Sequence, residues 1–92
     1  MSKDAELAKL VRQYLASKTS FDDLFDWVQN QEPYWATLPV GSPARSLAGI
    51  VSLMAYEVWD GARPEPEARE VIRQEVASLA APNRETYSSH ST

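Results

Sequence analysis

Cysteine is absent from this 92-residue chain, so neither a disulfide nor a thiolate zinc site can staple it. Histidine occurs once, as His90. A histidine catalyst or ligand set needs fixed partners, and the polar Ser/Thr-rich end of the chain offers none, so His90 reads as incidental. The three glycines, Gly41, Gly49 and Gly61, lack the spacing of a phosphate loop. No apolar run approaches the roughly 20 residues that span a bilayer. Met1-Ser2-Lys3-Asp4 is not a basic region leading into an apolar one, so no secretory leader is expected. These absences predict a protein without membrane association or cofactor, residing in the cytoplasm. No nucleophile–base pair or metal set can be assembled, so enzymatic activity is not expected.

Basic residues are also few. Nine Lys and Arg stand against 13 Asp and Glu, for a net charge of −4. Nonspecific binding to nucleic acid needs a basic face. Arg63, Arg69 and Arg73 are interleaved with Glu65, Glu67, Glu70 and Glu75, which largely cancel their field. A basic protein partner suits this balance better than RNA or DNA does.

What the chain does contain is helical periodicity. Leu7, Leu10, Val11, Tyr14 and Leu15 fall at i, i+3, i+4, i+7 and i+8, one face of a helix over about Lys3 to Ser17, with Ser2 as its N-cap. Ser20 begins a second helix over about Phe21 to Gln31, with Asp23 three residues on. Phe21, Leu24, Phe25 and Val28 form its buried stripe, Trp27 lies at the stripe's edge, and Pro33 is expected to stop it. Pro33 to Gly41 reads as a connection whose large apolar residues either lid the core or present a binding surface. A third helix is bounded by Ser42 and Pro43 at its start and Gly61 just past its end. Its stripe is Leu47, Ile50, Val51, Met54 and Val58, widened by Ala44, Ala48, Ala55 and Trp59, while Arg45, Ser52, Tyr56 and Asp60 are expected to face water. Half of its circumference is apolar, which makes it the central helix. A fourth helix starts near Pro64 or Pro66 and runs to about Ala80, with Ala68, Val71, Ile72, Val76 and Leu79 inward and an external Glu65–Arg69 pair. The pattern predicts an all-α fold, a single four-helix bundle over residues 1–81, followed by a disordered polar tail over 82–92.

Two groups of side chains remain without a core role. Asp22, Asp23 and Asp26 crowd the outer side of the second helix. They lack the loop and ligand number of a calcium site, and read instead as a solvated or partner-facing acidic patch. Tyr and Trp are enriched at interface hot spots, and the periodicity leaves Trp27, Tyr34, Trp35 and Tyr56 unassigned. The predicted partner-binding set is therefore Asp22, Asp23, Asp26 and Glu32 for charge, with Trp27, Tyr34 and Trp35 as anchors.

The run A-K-L-V-R-Q-Y-L-A-S-K-T-S-F-D-D-L-F-D-W, Ala8 to Trp27, resembles the first two helices of colicin D-type immunity proteins. The matching features are the helix-ending L-A-S-K, the Thr19-Ser20 cap and the hydrophobic helix that follows. The stretch Leu47 to Gly61 is similar to short uncharacterised bacterial helical proteins. The first resemblance implies a small helical bundle that binds and blocks a tRNA-cleaving toxin. It would do so by offering carboxylates where RNA phosphates sit, with electrostatic steering of the encounter. The alternatives are a helical adaptor or accessory subunit, or a carrier modified at Ser46. Ser46-Leu47 is similar to the modified serine of acyl carrier proteins, although Arg45 stands where those carry Asp.

Overall fold

The computed structural model describes residues 2–79. The predicted tail over 82–92, including His90, lies outside the described residues. Within them the chain is all-helical, with five α-helices rather than the four expected. The additional helix arises where a connection was predicted.

The first helix, α1, spans Lys3–Leu15. The Ser2 hydroxyl accepts the Ala5 N–H at 3.1 Å and satisfies one of the free donors of the first turn. Leu7, Val11 and Tyr14 are fully buried. The helix ends two residues before Ser17, because Ser17 adopts φ 63°. The Lys18 N–H donates to the Gln13 carbonyl at 2.8 Å and the Ser17 N–H to the Tyr14 carbonyl at 2.9 Å. This double closure is the one glycine usually provides.

The second helix, α2, spans Phe21–Asn30, and the Ser20 hydroxyl accepts the Asp23 N–H at 3.1 Å. Pro33 does not simply terminate it. Gln31 closes α2 and at once caps a short helix α3, Glu32–Thr37. Proline in the first turn loses no hydrogen bond, because that N–H would have no intrahelical acceptor. The N–H groups of Tyr34 and Trp35 both donate to the Gln31 carbonyl, at 2.9 and 3.2 Å.

The central helix, α4, spans Pro43–Trp59, with the Ser42 hydroxyl accepting the Arg45 N–H at 3.3 Å. Gly61 takes φ 81° beyond its end, where the Ala62 N–H reaches the Glu57 carbonyl at 2.9 Å. Ala44, Leu47, Ala48, Val51, Met54 and Ala55 are buried, and α4 packs against each of the other four helices. The last helix, α5, spans Glu65–Leu79 and buries Ala68 and Ile72.

Polar side chains join α5 to α1. Arg69 Nη1 donates to the carbonyls of Tyr14 at 3.0 Å and Leu15 at 3.2 Å, placing a cation on the negative end of α1. Its guanidinium also lies 4.5 Å from the centroid of the Tyr14 ring. The Tyr14 hydroxyl donates to Glu65 Oε2 at 3.1 Å, and Glu65 in turn faces Arg69 at 3.9 Å. The Glu65–Arg69 pair thus bridges two helices instead of decorating one. Burial, then the charge of Glu65 and the hydrogen bond to it, push the Tyr14 phenol up to about 12, against the opposing pull of Arg69.

Two outcomes are expected. In the unfolded chain Tyr14 releases its proton near pH 10, whereas the folded chain holds it to about pH 12. The stabilisation is therefore complete below pH 10 and is lost as the pH rises from 10 to 12. Urea midpoints measured across that window should fall for the wild type and fall less for Tyr14→Phe. Ser17→Gly removes the left-handed strain of a side-chain-bearing residue. Allowing for glycine's greater unfolded-state entropy, it should stabilise by about 0.5–1 kcal/mol and raise the thermal midpoint by roughly 3–6 °C.

Candidate partner-binding face

Asp22, Asp23, Asp26 and Glu32 are all exposed. None has a Lys or Arg partner within 4.0 Å among the described residues, where the ion pairs involve Arg63, Arg69 and Arg73. At 100° per residue, Asp26 projects directly away from the Phe21–Leu24–Val28 stripe. Asp22 leans to the flank of α2 that meets α4, and Asp23 to the opposite flank.

The predicted aromatic anchors do not join these acids. Trp35 is a core residue, only 3% exposed, and its Nε1–H donates to the Val28 carbonyl at 2.9 Å. Its assignment as a surface anchor is corrected: α3 turns the indole inward, and the freed polar N–H finds a backbone acceptor. Trp27 is half-buried, 5.9 Å from the Trp35 ring, beside a cavity that it shares with Glu6, Lys9, Leu10 and Gln13 of α1. The Tyr34 ring packs edge-on to Trp35 at 5.2 Å. Its hydroxyl donates to Asp4 Oδ1 at 2.7 Å, which raises the phenol above its ordinary range. Trp27 and Tyr34 therefore serve the α1 side of the molecule.

A different set of aromatics occupies the α2–α4 side. Leu53, Tyr56 and Trp59 are 49%, 53% and 51% exposed. They lie at i, i+3 and i+6 along α4, and Phe25 of α2 packs against the two rings among them. Phe25 meets Trp59 at 4.7 Å and Tyr56 at 5.7 Å, both edge-to-face, and Tyr56 and Trp59 lie 6.3 Å apart. Trp59 was expected in the core. It sits at the margin of the apolar arc, with Phe25 against one edge of its ring and about half of its surface exposed. One turn further along α2, Gln29 Nε2 donates to Ser52 Oγ at 3.2 Å. These pairings, Phe25 with Tyr56 and Trp59 and Gln29 with Ser52, set α2 and α4 antiparallel.

Beyond Ser52 the face dips into a depression of about 340 Å³, lined by Gln29, Glu32, Arg45, Gly49, Ser52 and Tyr56 among others. Arg45 is half-buried there, its Nη1 donating to the Leu38 carbonyl at 2.7 Å. Glu32 thus lines the depression, Asp22 lies on the flank of α2 that carries Phe25 and Gln29 toward α4, and Asp26 stands on the outer side of α2. Leu53 and Tyr56 lie opposite the Leu47–Val51 stripe, so an apolar pair at i, i+3 on the expected water face of α4 was the signal for this cluster.

Other chemistries find little here. Among the described residues no group of three or more His, Cys, Asp or Glu side chains could hold a metal ion. No described helix is long and apolar enough to cross a membrane. Ser46 is half-buried in the first turns of α4. Comparison with known proteins finds no match, whether to a family model, a curated protein or a solved structure.

The two tryptophan environments predict opposite behaviour. Trp35→Ala should cost about 3–5 kcal/mol, much of the stability of a small domain, and abolish cooperative thermal unfolding followed by circular dichroism. Trp59→Ala should retain the wild-type helical signal and a cooperative melt.

Proposed function

We propose that this protein is a non-enzymatic binding module that recognises another protein through its α2–α4 face. The observation that carries this reading is the cluster of Leu53, Tyr56 and Trp59, half-exposed and braced by Phe25. Apolar side chains scattered singly on a surface need no explanation, but a contiguous patch with a polar rim is typical of a protein–protein contact. Trp and Tyr are the side chains that most often dominate binding energy when they become desolvated at the centre of an interface. The edge-to-face packing holds the three rings in place before a partner arrives, which lowers the ordering cost of association.

The bordering carboxylates determine the kind of partner. Asp22, Asp26 and Glu32 are exposed and form no ion pair within 4.0 Å among the described residues, so a basic surface would be steered toward this side of the molecule. In its narrower form the proposal is an immunity-like role, in which the partner is a basic nuclease and the acidic face blocks its RNA-binding groove. A helical adaptor uses the same face on a different basic protein.

Capture from the native host with tagged protein, followed by calorimetry with the purified partner, tests the reading. Tyr56→Ala/Trp59→Ala should weaken binding at least a hundredfold, and Asp22→Lys/Asp26→Lys at least tenfold, with circular dichroism unchanged. A partner bound equally well by wild type and both variants would refute the assignment of this face. If the captured partner is a nuclease, equimolar wild-type protein should stop RNA cleavage and the double-alanine variant should not. Undiminished cleavage in the wild-type complex would remove the immunity-like form alone.

A further inference from the structure

We infer that the element docking on this face is a basic amphipathic α-helix that crosses α4 at Gly49. The inference rests on the reading of the α2–α4 face above and specifies the partner's chemistry.

Gly49 supplies an observation independent of the aromatics. It is the seventh residue of a 17-residue helix, a position where glycine is disfavoured because it surrenders the most backbone freedom on folding. The other two glycines have conformational reasons, with φ 93° at Gly41 and 81° at Gly61. Gly49 has none. Its φ is not in the left-handed region, and a Cβ built there would meet nothing within 4 Å. Nothing inside the described protein requires the missing side chain, so the bare backbone is open only to something outside it. The separation between packed helices depends on the side chains at their crossing point, and an interior glycine allows the closest approach.

The surroundings of Gly49 fit that visitor. Gly49 forms part of the depression lined by Ser52 and Tyr56, and Leu53 stands one turn along the same side. From Gly49 to Trp59 the face runs about 15 Å at 1.5 Å per residue, the length of roughly three helical turns. A helix lying there would set its apolar stripe on Leu53, Tyr56 and Trp59. Its basic residues would then meet Glu32 at the depression and Asp22 on the α2 flank, with Asp26 adding to the negative field from the outer side of α2. Arg45, the cation in the depression, is committed to the Leu38 carbonyl. A second copy of this chain is a poor occupant. The net charge is −4, and self-pairing would bring these carboxylates against one another, which like-charge repulsion opposes.

The test uses the full chain, labelled with ¹⁵N, and three synthetic 18-residue peptides. One has a leucine face and a Lys/Arg face. The second replaces the basic residues with Glu. The third keeps the basic composition but carries two central prolines that prevent a helix. The basic helical peptide should shift the amides of Gly49, Leu53, Tyr56 and Trp59, and the acidic peptide should bind at least tenfold more weakly. Gly49→Leu should raise the thermal midpoint of the free protein yet weaken the basic peptide at least tenfold, and Gly49→Ala should do the same to a smaller degree. Unchanged affinity in Gly49→Leu would overturn the crossing point. Equal binding of the proline peptide with the same shifts would overturn the helix while leaving the docking face intact. Absence of binding by both basic peptides, or shifts confined to other surfaces, would overturn the inference and count against the face itself. Concentration-dependent dimerisation through these residues, read by sedimentation, would assign the face to a second copy instead.

Discussion

The burial of Trp35 determines how this small protein distributes its aromatic side chains. Helix α4 has 17 residues and is about 25 Å long at 1.5 Å per residue. Helix α2, with 10 residues, covers about 15 Å of it, and α3, with six residues, about another 9 Å. The two together match α4, but only because the chain breaks and restarts at Gln31. Without that break Trp35 would remain on a continuing α2. With it, the indole enters the core, fills the space between helices and returns its N–H to Val28 of the preceding helix. Pro33 enforces the break without wasting a donor.

The same arrangement explains why other aromatics stay outside. Trp35 and Leu38 occupy the end of the α2–α4 interface near Ala48 and Arg45, and the pairing of Gln29 with Ser52 closes its middle. At the opposite end Phe21 stacks on Tyr14 of α1, so Phe25 is the large side chain of α2 that meets the last turns of α4. It contacts Tyr56 and Trp59 along their edges and leaves about half of each exposed. On the other side of α4, the link from α5 to α1 relies on Arg69, Glu65 and Tyr14. That contact is directional and hydrogen-bonded, so it fixes the helices' placement where a thin apolar contact would leave them free to slide.

Most of the helices were legible from residue pattern because each signal was local. Ser2, Ser20 and Ser42 cap the helices they were expected to cap, and the Leu7–Val11–Tyr14 and Leu47–Val51–Met54 stripes are buried. Errors arose where a residue carries two local meanings. Proline at 33 signals both a helix end and a first helical turn, and only the packing of Trp35 selects the second. Trp59 falls on the margin of an apolar arc, so its exposure depends on which side chains of the neighbouring helix reach it, and Phe25 covers only one edge. The acids Asp22, Asp26 and Glu32 were visible as surface charge, but their companions were not. Sequence proximity grouped them with Trp27, Tyr34 and Trp35, while the antiparallel packing of α2 and α4 brings Glu32 into one depression with Tyr56 and turns the Asp22 flank of α2 toward α4.

The α4 aromatics also differ from core aromatics in what the fold stands to lose. An edge-to-face pair contributes about 0.5–1.5 kcal/mol beyond its buried area, and Phe25, Tyr56 and Trp59 chiefly brace one another. A residue at position 53 or 56 with a polar side chain would leave the buried face of α4 untouched and would make the surface more soluble. Gly49 adds a second departure from what the isolated chain would favour, since alanine there would strengthen the helix without any clash. Local choices that run against stability or solubility are expected at functional positions. Here both departures fall on one side of one helix, beside carboxylates that have no cation of their own. A partner that desolvates the rings and neutralises the acids resolves both departures at once, which neither the packing of the core nor the link between α1 and α5 does.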